Sequence, residues 1–142
     1  MRYNAIRAAV TVVAVSAALL GGQTLTTTPV AQAAGGVCTF AFNKEPYVLH
    51  DAVVVGGQVE CNRAPVAFRI ELQLWHRSGT GNPQPKGDRV VVTQIPNPHL
   101  NVAAMALDCV PGVWQGKIVM QATWDTGTDE GRNETLNTFL PC

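Results

Sequence analysis

The stretch that decides the fold is VAFRIELQLWH, residues 66–76. Apolar side chains alternate in it with mostly polar ones, which is the period of a β-strand that buries one face. The apolar row is Val66, Phe68, Ile70, Leu72 and Leu74, and the opposite row is Ala67, Arg69, Glu71, Gln73 and Trp75. We therefore expect this segment to be the central strand of a small all-β domain, with the apolar row in the core.

Residues 1–33 have the composition of a secretory signal peptide. Two early arginines precede an apolar run at residues 8–20, and a small-x-small cleavage site ends at Ala33. As a helix, that run would span about 20 Å against about 30 Å of bilayer hydrocarbon, so it predicts export rather than a stable membrane anchor. We expect cleavage after Ala33 and one secreted, extracellular domain over residues 34–142.

The charge balance of the expected mature domain argues against two classes of partner. The leader contains two of the ten basic residues and none of the ten acidic ones, so eight basic and ten acidic side chains remain. A slightly negative domain has no electrostatic reason to bind nucleic acid or an anionic membrane surface. We expect neither as a partner.

The cysteines predict two disulfides. All four lie after the leader, at Cys38, Cys61, Cys109 and Cys142, and none is part of a C-x-x-C pair of the zinc or redox type. Cys38 opens the first predicted strand and Cys61 closes the second, while Cys109 and Cys142 end segments that we expect to meet. The expected pairs are Cys38–Cys61 and Cys109–Cys142.

Further alternating or Val-rich runs bring the total to about seven strands. They are residues 37–42, 52–61, 89–95, 100–109, 114–124 and 134–140. The run at residues 100–109 fits a helical face and a strand equally well, and we favour a strand because its neighbours are strands. The pattern as a whole predicts a disulfide-stapled antiparallel β-sandwich, immunoglobulin-like in architecture.

The segments between these runs are expected to be irregular. Residues 44–50 form a link interrupted by Pro46, and residues 78–87 form a long loop rich in Gly and Pro. Residues 125–133, DTGTDEGRN, are expected to form a polar hairpin loop.

Catalytic motifs are scarce, and no cofactor motif is present. Ser78 is the only serine after the leader and lacks the G-x-S-x-G context of a hydrolase nucleophile. Strand-borne carboxylates at Glu60, Glu71 and Asp108 are the candidates for a glycosidase-type acid pair. Outward carboxylates on strands are usually solvated, so we expect a protein that is not an enzyme and uses no cofactor.

Residues 125–134 raise the question of calcium. Their carboxylates could offer oxygen ligands, but the spacing departs from an EF-hand loop at Gly127, Glu130 and Leu136. A polar hairpin turn explains the same residues, and we expect no metal site. Asn133-Glu134-Thr135 is a formal glycosylation sequon.

Trp75 is the best candidate for a binding residue, with Arg69, Glu71 and Gln73 around it. A Trp exposed among polar groups has the composition of a contact hot spot for a protein or a glycan, whereas a Trp covered by a loop would be structural. We therefore expect a secreted, non-catalytic binding module with an extracellular protein or glycan partner.

Two other functions compete with this one. The first is an inhibitor of an extracellular protease or other hydrolase, which would present residues 78–87 or 125–133 to an active site. The second is a small hydrolase acting on envelope polymers.

Overall fold

The computed structural model describes residues 35–142, so the predicted signal peptide lies outside the described residues. Nine strands and no helix are found in this range, and no segment of it is suited to cross a membrane as a helix. The strands are β1 (Cys38–Phe42), β2 (Tyr47–Leu49), β3 (Ala52–Cys61), β4 (Ala67–Arg77), β5 (Gln84–Val92), β6 (His99–Ala106), β7 (Gly112–Trp124), β8 (Gly127–Glu134) and β9 (Thr138–Leu140).

The strands form two antiparallel sheets, which confirms the predicted all-β sandwich. In the four-stranded sheet, β3 lies in the middle with β6 on one side and β1 and β2 on the other. The five-stranded sheet has the order β5-β4-β7-β8, and β9 pairs with the start of β7. This arrangement is compatible with an immunoglobulin-like fold. β4 is paired on both sides, so it is central, as its alternation predicts.

The core lies between the inward rows of the two sheets. Ile70, Leu72 and Leu74 of β4 are fully buried, as is Trp114 of β7. Across from them lie the buried side chains of β3 and β6, namely Val53, Val55, Val59, Val102, Ala104 and Ala106.

One member of the predicted apolar row is not in the core. Val66 is 60% exposed and precedes β4, and its backbone N–H donates to the carbonyl of Thr123 at 2.8 Å. The prediction that Val66 is a core residue was therefore wrong. Phe68 and the three residues that follow it in the row are buried as predicted.

Both predicted disulfides are confirmed. Cys38 and Cys61 face each other directly in the β1–β3 ladder, with their Cα atoms 4.1 Å apart. Cys109 and Cys142 are joined with their Cα atoms 5.5 Å apart. The first bridge links neighbouring strands of one sheet, so the apolar core rather than this bridge holds the two sheets together.

The ambiguous run at residues 100–109 is a strand, since β6 covers its first seven residues. Four other predictions need correction. Residues 44–50 contain the short strand β2, and the loop after β4 is shorter than expected because β5 already starts at Gln84.

The third correction concerns residues 125–133, which are not a loop. Trp124 faces Gly127 directly, so the turn is confined to Asp125 and Thr126, and β8 follows. As an edge strand, β8 is held by its backbone ladder with β7 and does not need an apolar face. Of the predicted last strand, residues 134–140, only Thr138–Leu140 forms a separate strand, β9.

Candidate functional site

Trp75 lies on the outward face of the five-stranded sheet, as its position in the polar row of β4 predicts. Its direct neighbours across the ladders are Pro85 on β5 and Gln115 on β7. The ring is half-buried, and the ammonium of Lys117 lies 5.2 Å from its centroid. A lysine within about 6 Å of a Trp ring is in cation–π range, so one side of the ring faces a positive charge.

Trp75 borders a shallow groove of about 380 Å³. The wall beside Trp75 includes Pro85, and the side chain of Val119 adds apolar surface, whereas Ile118 borders the groove with its side chain in the core. The polar lining consists of Glu71, Gln73, Arg89, Lys117 and Arg132. Three cationic side chains thus surround a groove that contains a single carboxylate. Such a groove offers flat apolar area together with positive charge.

The one carboxylate of the groove, Glu71, is held by two arginines. Its Oε1 accepts hydrogen bonds from Arg69 Nη2 at 2.6 Å and Nε at 3.1 Å, and its Oε2 accepts one from Arg89 Nη1 at 3.4 Å. The hydrogen bonds from Arg69, aided by the positive charges of both guanidinium groups, hold the pKa of Glu71 below its ordinary value. Glu71 is therefore ionised at neutral pH and is unsuited to act as a general acid, which needs a raised pKa.

Gln73, on the same outward face of the sheet, makes structural contacts with the backbone. Its Nε2 lies 3.1 Å from the carbonyl oxygens of Leu74 and Lys86 and 3.2 Å from that of Gly87. These contacts lie at an irregularity of the β4–β5 ladder, where the register shifts between Leu72 and Leu74. Since the amide nitrogen of Gln73 holds this bulge, its role is to position β5, including the groove residue Pro85.

The comparisons with known proteins add little at this point. No protein-family model matches the chain, and no curated protein matches it. Among solved structures, β-glucosidase 3B from Thermotoga neapolitana in complex with α-D-glucose is similar to 74% of this chain at 11% identity, with a TM-score of 0.35. The chain spans 17% of the length of that structure. A likeness of this extent carries no argument about fold or activity.

Several residues of the groove were not singled out from the sequence. Lys117 lies beside the ring of Trp75 because the β4–β7 register pairs it with Gln73, and that register is not evident from either strand alone. Arg132 belongs to β8, which the sequence did not reveal as a strand. The sequence also did not connect Arg89 or Pro85 with Trp75. Arg89 fell in a predicted strand, and Pro85 fell in a predicted loop.

The carboxylates proposed as an acid pair do not come together. Glu71 lies on the outer face of the five-stranded sheet, whereas Glu60 is exposed on β3 of the other sheet and pairs with His99 across the β3–β6 ladder. Asp108 is exposed in the turn that follows β6. Glu60 and Glu71 thus lie on the opposite outer faces of the sandwich and do not form the closely spaced pair that glycosidases use.

The acidic segment at residues 125–134 does not gather its carboxylates either. Within the described residues, no three acidic, His or Cys side chains cluster as metal ligands would. Asp129 and Glu130 are consecutive on β8 and so point to opposite faces. Glu130 Oε1 accepts hydrogen bonds from Arg132, and Glu134 Oε2 lies 3.6 Å from Lys117 Nζ.

Two residues of the glycosylation sequon, Asn133 and Thr135, make side-chain hydrogen bonds within the domain. Asn133 Nδ2 donates to the carbonyl of Phe40 at 3.2 Å, which links β8 to β1 of the other sheet. The hydroxyl of Thr135 is buried, accepts a hydrogen bond from the Gly116 N–H at 3.0 Å and donates one to the Leu136 carbonyl. A glycan on Asn133 would break the first of these contacts.

Proposed function

We propose that this protein is a secreted, non-catalytic binding module that contacts an extracellular protein or glycan through the groove around Trp75. The observation that carries the proposal is the position of Trp75. Its half-buried ring borders a groove with an apolar surface and three cationic side chains, on a sheet face that no other element covers among the described residues. Large aromatic and Arg side chains in such settings supply most of the free energy at protein contacts.

The secreted setting has separate support. Two disulfides join all four cysteines, and disulfides persist mainly in oxidising compartments outside the cytosol. The apolar run and small-x-small site of residues 1–33 point to the same route.

The chemistry of the groove favours a partner that combines an acidic group with a flat apolar group. Glu71 is already neutralised by Arg69 and Arg89, so it offers little repulsion to an incoming carboxylate. Lys117 and Arg132 add two further cationic side chains to the lining, and each is paired with an exposed glutamate of β8, Glu134 and Glu130. An acidic side chain next to an aromatic one, or an acidic sugar stacked on Trp75, has this composition.

The inhibitor alternative has less support. It needs an extended loop, whereas the loop after β4 is limited to residues 78–83 and the second candidate loop is a two-residue turn. A short turn can still enter an active site, so a panel of extracellular proteases and glycosidases is the direct check. Inhibition that survives Trp75→Ala but is lost on replacing residues 79–81 would favour the inhibitor.

The test of the binding proposal uses a matched pair of aromatic truncations. The mature protein, Trp75→Ala and Phe139→Ala are immobilised and exposed to culture medium of the producing cells and to a glycan array. Phe139 is a suitable control because it is 66% exposed on the neighbouring strand β9 and does not line the groove. Truncation of a hot-spot Trp commonly costs about 2 kcal/mol or more of binding, roughly 30-fold in affinity.

We expect Trp75→Ala to lose the captured partner and Phe139→Ala to keep it, with both variants folded by circular dichroism. Arg132→Ala should weaken retention by a smaller factor. Capture that survives Trp75→Ala but not Phe139→Ala would place the contact elsewhere on the domain and refute the groove as the site.

A further inference from the structure

The edges of the two sheets differ in how open they are to another strand. One edge of the four-stranded sheet is divided between β1 and β2, which have only five and three residues. At the opposite edge, β6 is approached by β5 of the other sheet, and a side-chain carbon added to Gly87 would lie 2.5 Å from the Met105 carbonyl. β5 itself is bulged and contains Pro85. Short, bulged, proline-containing or covered edges do not accept a further strand.

The edge formed by β8 has none of these protections among the described residues. Its eight residues pair with β7 without any shift in register, and they contain no proline and no lysine. Seven of the eight are exposed, and Gly131 is half-buried. The backbone groups on the free side of β8 are therefore accessible to another strand.

The charges of β8 discriminate between possible partner strands. On the outward face, Glu130 and Arg132 follow each other two residues apart with opposite signs, and Arg132 already donates to Glu130 within the chain, from Nη2 at 2.7 Å and Nε at 2.9 Å. Like charges directly opposite each other across two strands are destabilising, and unlike charges are stabilising. A partner strand gains from this pattern only if it places the opposite charges across from Glu130 and Arg132, and an antiparallel copy of β8 can do so.

Symmetry selects one register for such a copy. A two-fold axis perpendicular to the sheet keeps each side chain on its own face of the sheet. Residues that face each other must then share a face, so the axis lies midway between two copies of the same residue. An axis at Glu130 places Glu130 opposite itself, and an axis at Arg132 places Arg132 opposite itself. An axis at Gly131 instead places Glu130 of each copy opposite Arg132 of the other and pairs residues 128–134 of β8. An axis at Asn133 would also join unlike charges, Arg132 with Glu134, but it would pair only residues 132–134 of the strand.

We infer that β8 is a self-association edge, at which two copies of the chain pair antiparallel about Gly131 into one continuous ten-stranded sheet. Gly131 is suited to the axis because it brings no side chain to the point of closest approach. Each guanidinium has donors left for the carboxylate of the other copy, so the four charges form a ring at the axis. This inference does not rest on the proposed function, although Arg132 also lines the groove and the axis would leave both grooves on the same side of the doubled sheet.

The first experiment follows the mass of the mature protein by sedimentation velocity. The concentration series runs from about 10 µM to about 1 mM, because interfaces smaller than about 1,200 Å² are usually weak. We expect a rise from monomer to dimer mass. Glu130→Arg and Arg132→Glu should each remain monomeric throughout, and the double charge swap should restore the dimer.

Glu60→Arg is the matched control, because it reverses an exposed strand carboxylate on the other sheet and should leave the dimer unchanged. A wild-type protein that stays monomeric over the whole series would overturn the inference. So would a dimer that both single charge reversals leave intact, since another surface would then be responsible.

The second experiment tests the register. Under mild oxidation, Gly131→Cys should cross-link to itself, because residue 131 faces its own copy across the axis. A β-carbon at this position meets only the Met120 methyl at 3.4 Å, so the substitution fits the fold. Thr128→Cys faces Glu134 of the other copy and should not cross-link, and peptide mapping confirms that the two native disulfides are intact. Equal cross-linking of both variants would refute the register.

Discussion

The ammonium of Lys117 lies between Trp75 and Glu134, 5.2 Å from the centroid of the indole ring and 3.6 Å from the carboxylate. The three side chains come from three adjacent strands, β4, β7 and β8. The lysine therefore holds one side of the Trp75 ring without enclosing it, which leaves the ring half-exposed.

This geometry makes Trp75 the tryptophan most accessible to a quencher. Trp114 is fully buried and Trp124 is 4% exposed. We expect acrylamide to quench one component of the fluorescence, and Trp75→Phe to remove that component. Lys117→Ala should increase the quenching, because it uncovers the ring. If Trp75→Phe leaves the quenching unchanged, the ring is covered in solution and the groove is not available.

The inward row of β4 should dominate the stability of the domain. Ile70→Ala is expected to lower the free energy of unfolding by about 2–5 kcal/mol, because it leaves a cavity between the sheets. Val66→Ala, in the same apolar row of the sequence but exposed, should change it by about 0.5 kcal/mol or less. Urea melts of the two variants measure the difference, and equal losses would contradict the placement of Val66 outside the core.

Gln73 should behave unlike an ordinary surface glutamine. Its amide contacts three backbone carbonyls at the bulge, and we expect Gln73→Ala to lower the free energy of unfolding by about 1–2 kcal/mol. Gln121→Ala is the control, since that side chain is exposed and makes a single 3.3 Å contact with Glu130. Hydrogen exchange should also become faster in β5 of the Gln73 variant alone.

The carboxyl groups of Glu71 and Glu130 should titrate below the ordinary glutamate value. Hydrogen bonds from Arg69 lower the pKa of Glu71, and those from Arg132, with a further one from Gln121, lower the pKa of Glu130. Because the folded pKa is depressed, these contacts contribute to stability above the ordinary value of 4.5, and the contribution is lost as the pH falls through the depressed pKa.

The check is an NMR titration of the glutamate side chains in two variants. Arg69→Ala should raise the pKa of Glu71 and leave Glu130 unchanged, whereas Arg132→Ala should do the reverse. A Glu71 pKa that does not respond to Arg69→Ala would mean that the two side chains are not paired in solution.

The strands that cross the middle of the sheets could be predicted from the sequence because burial imposes its period on them. β3, β4 and β7 alternate between core and surface, and the ends of the predicted strands were sufficient to pair the cysteines. β8 and β2 were missed because they lie at edges, where backbone pairing alone holds a strand and a sequence such as GTDEGRNE carries no apolar period.

The candidate site divides in the same way. The outward position of Trp75 follows from alternation within β4, which is local information. Its neighbours Lys117 and Arg132 belong to other strands, and only the register between β4, β7 and β8 brings them to the groove. The contacts of Gln73 with the backbone of β5 could not be predicted from the sequence either, because they depend on a bulge in the β4–β5 ladder.

The two disulfides also determine how the domain carries mechanical load. Tension applied at Cys38 and Cys142 passes through the sulfur bridges to Cys61 and Cys109. The chain between Cys38 and Cys61 and the chain between Cys109 and Cys142 are closed covalent loops, so neither lies on the load path. Only the segment from Cys61 to Cys109, which contains β4, β5 and β6, can extend when the domain is stretched. An oxidised domain pulled from both ends would thus act as a short tether with a limited extended length. Reduction of the disulfides would add both loops to that length.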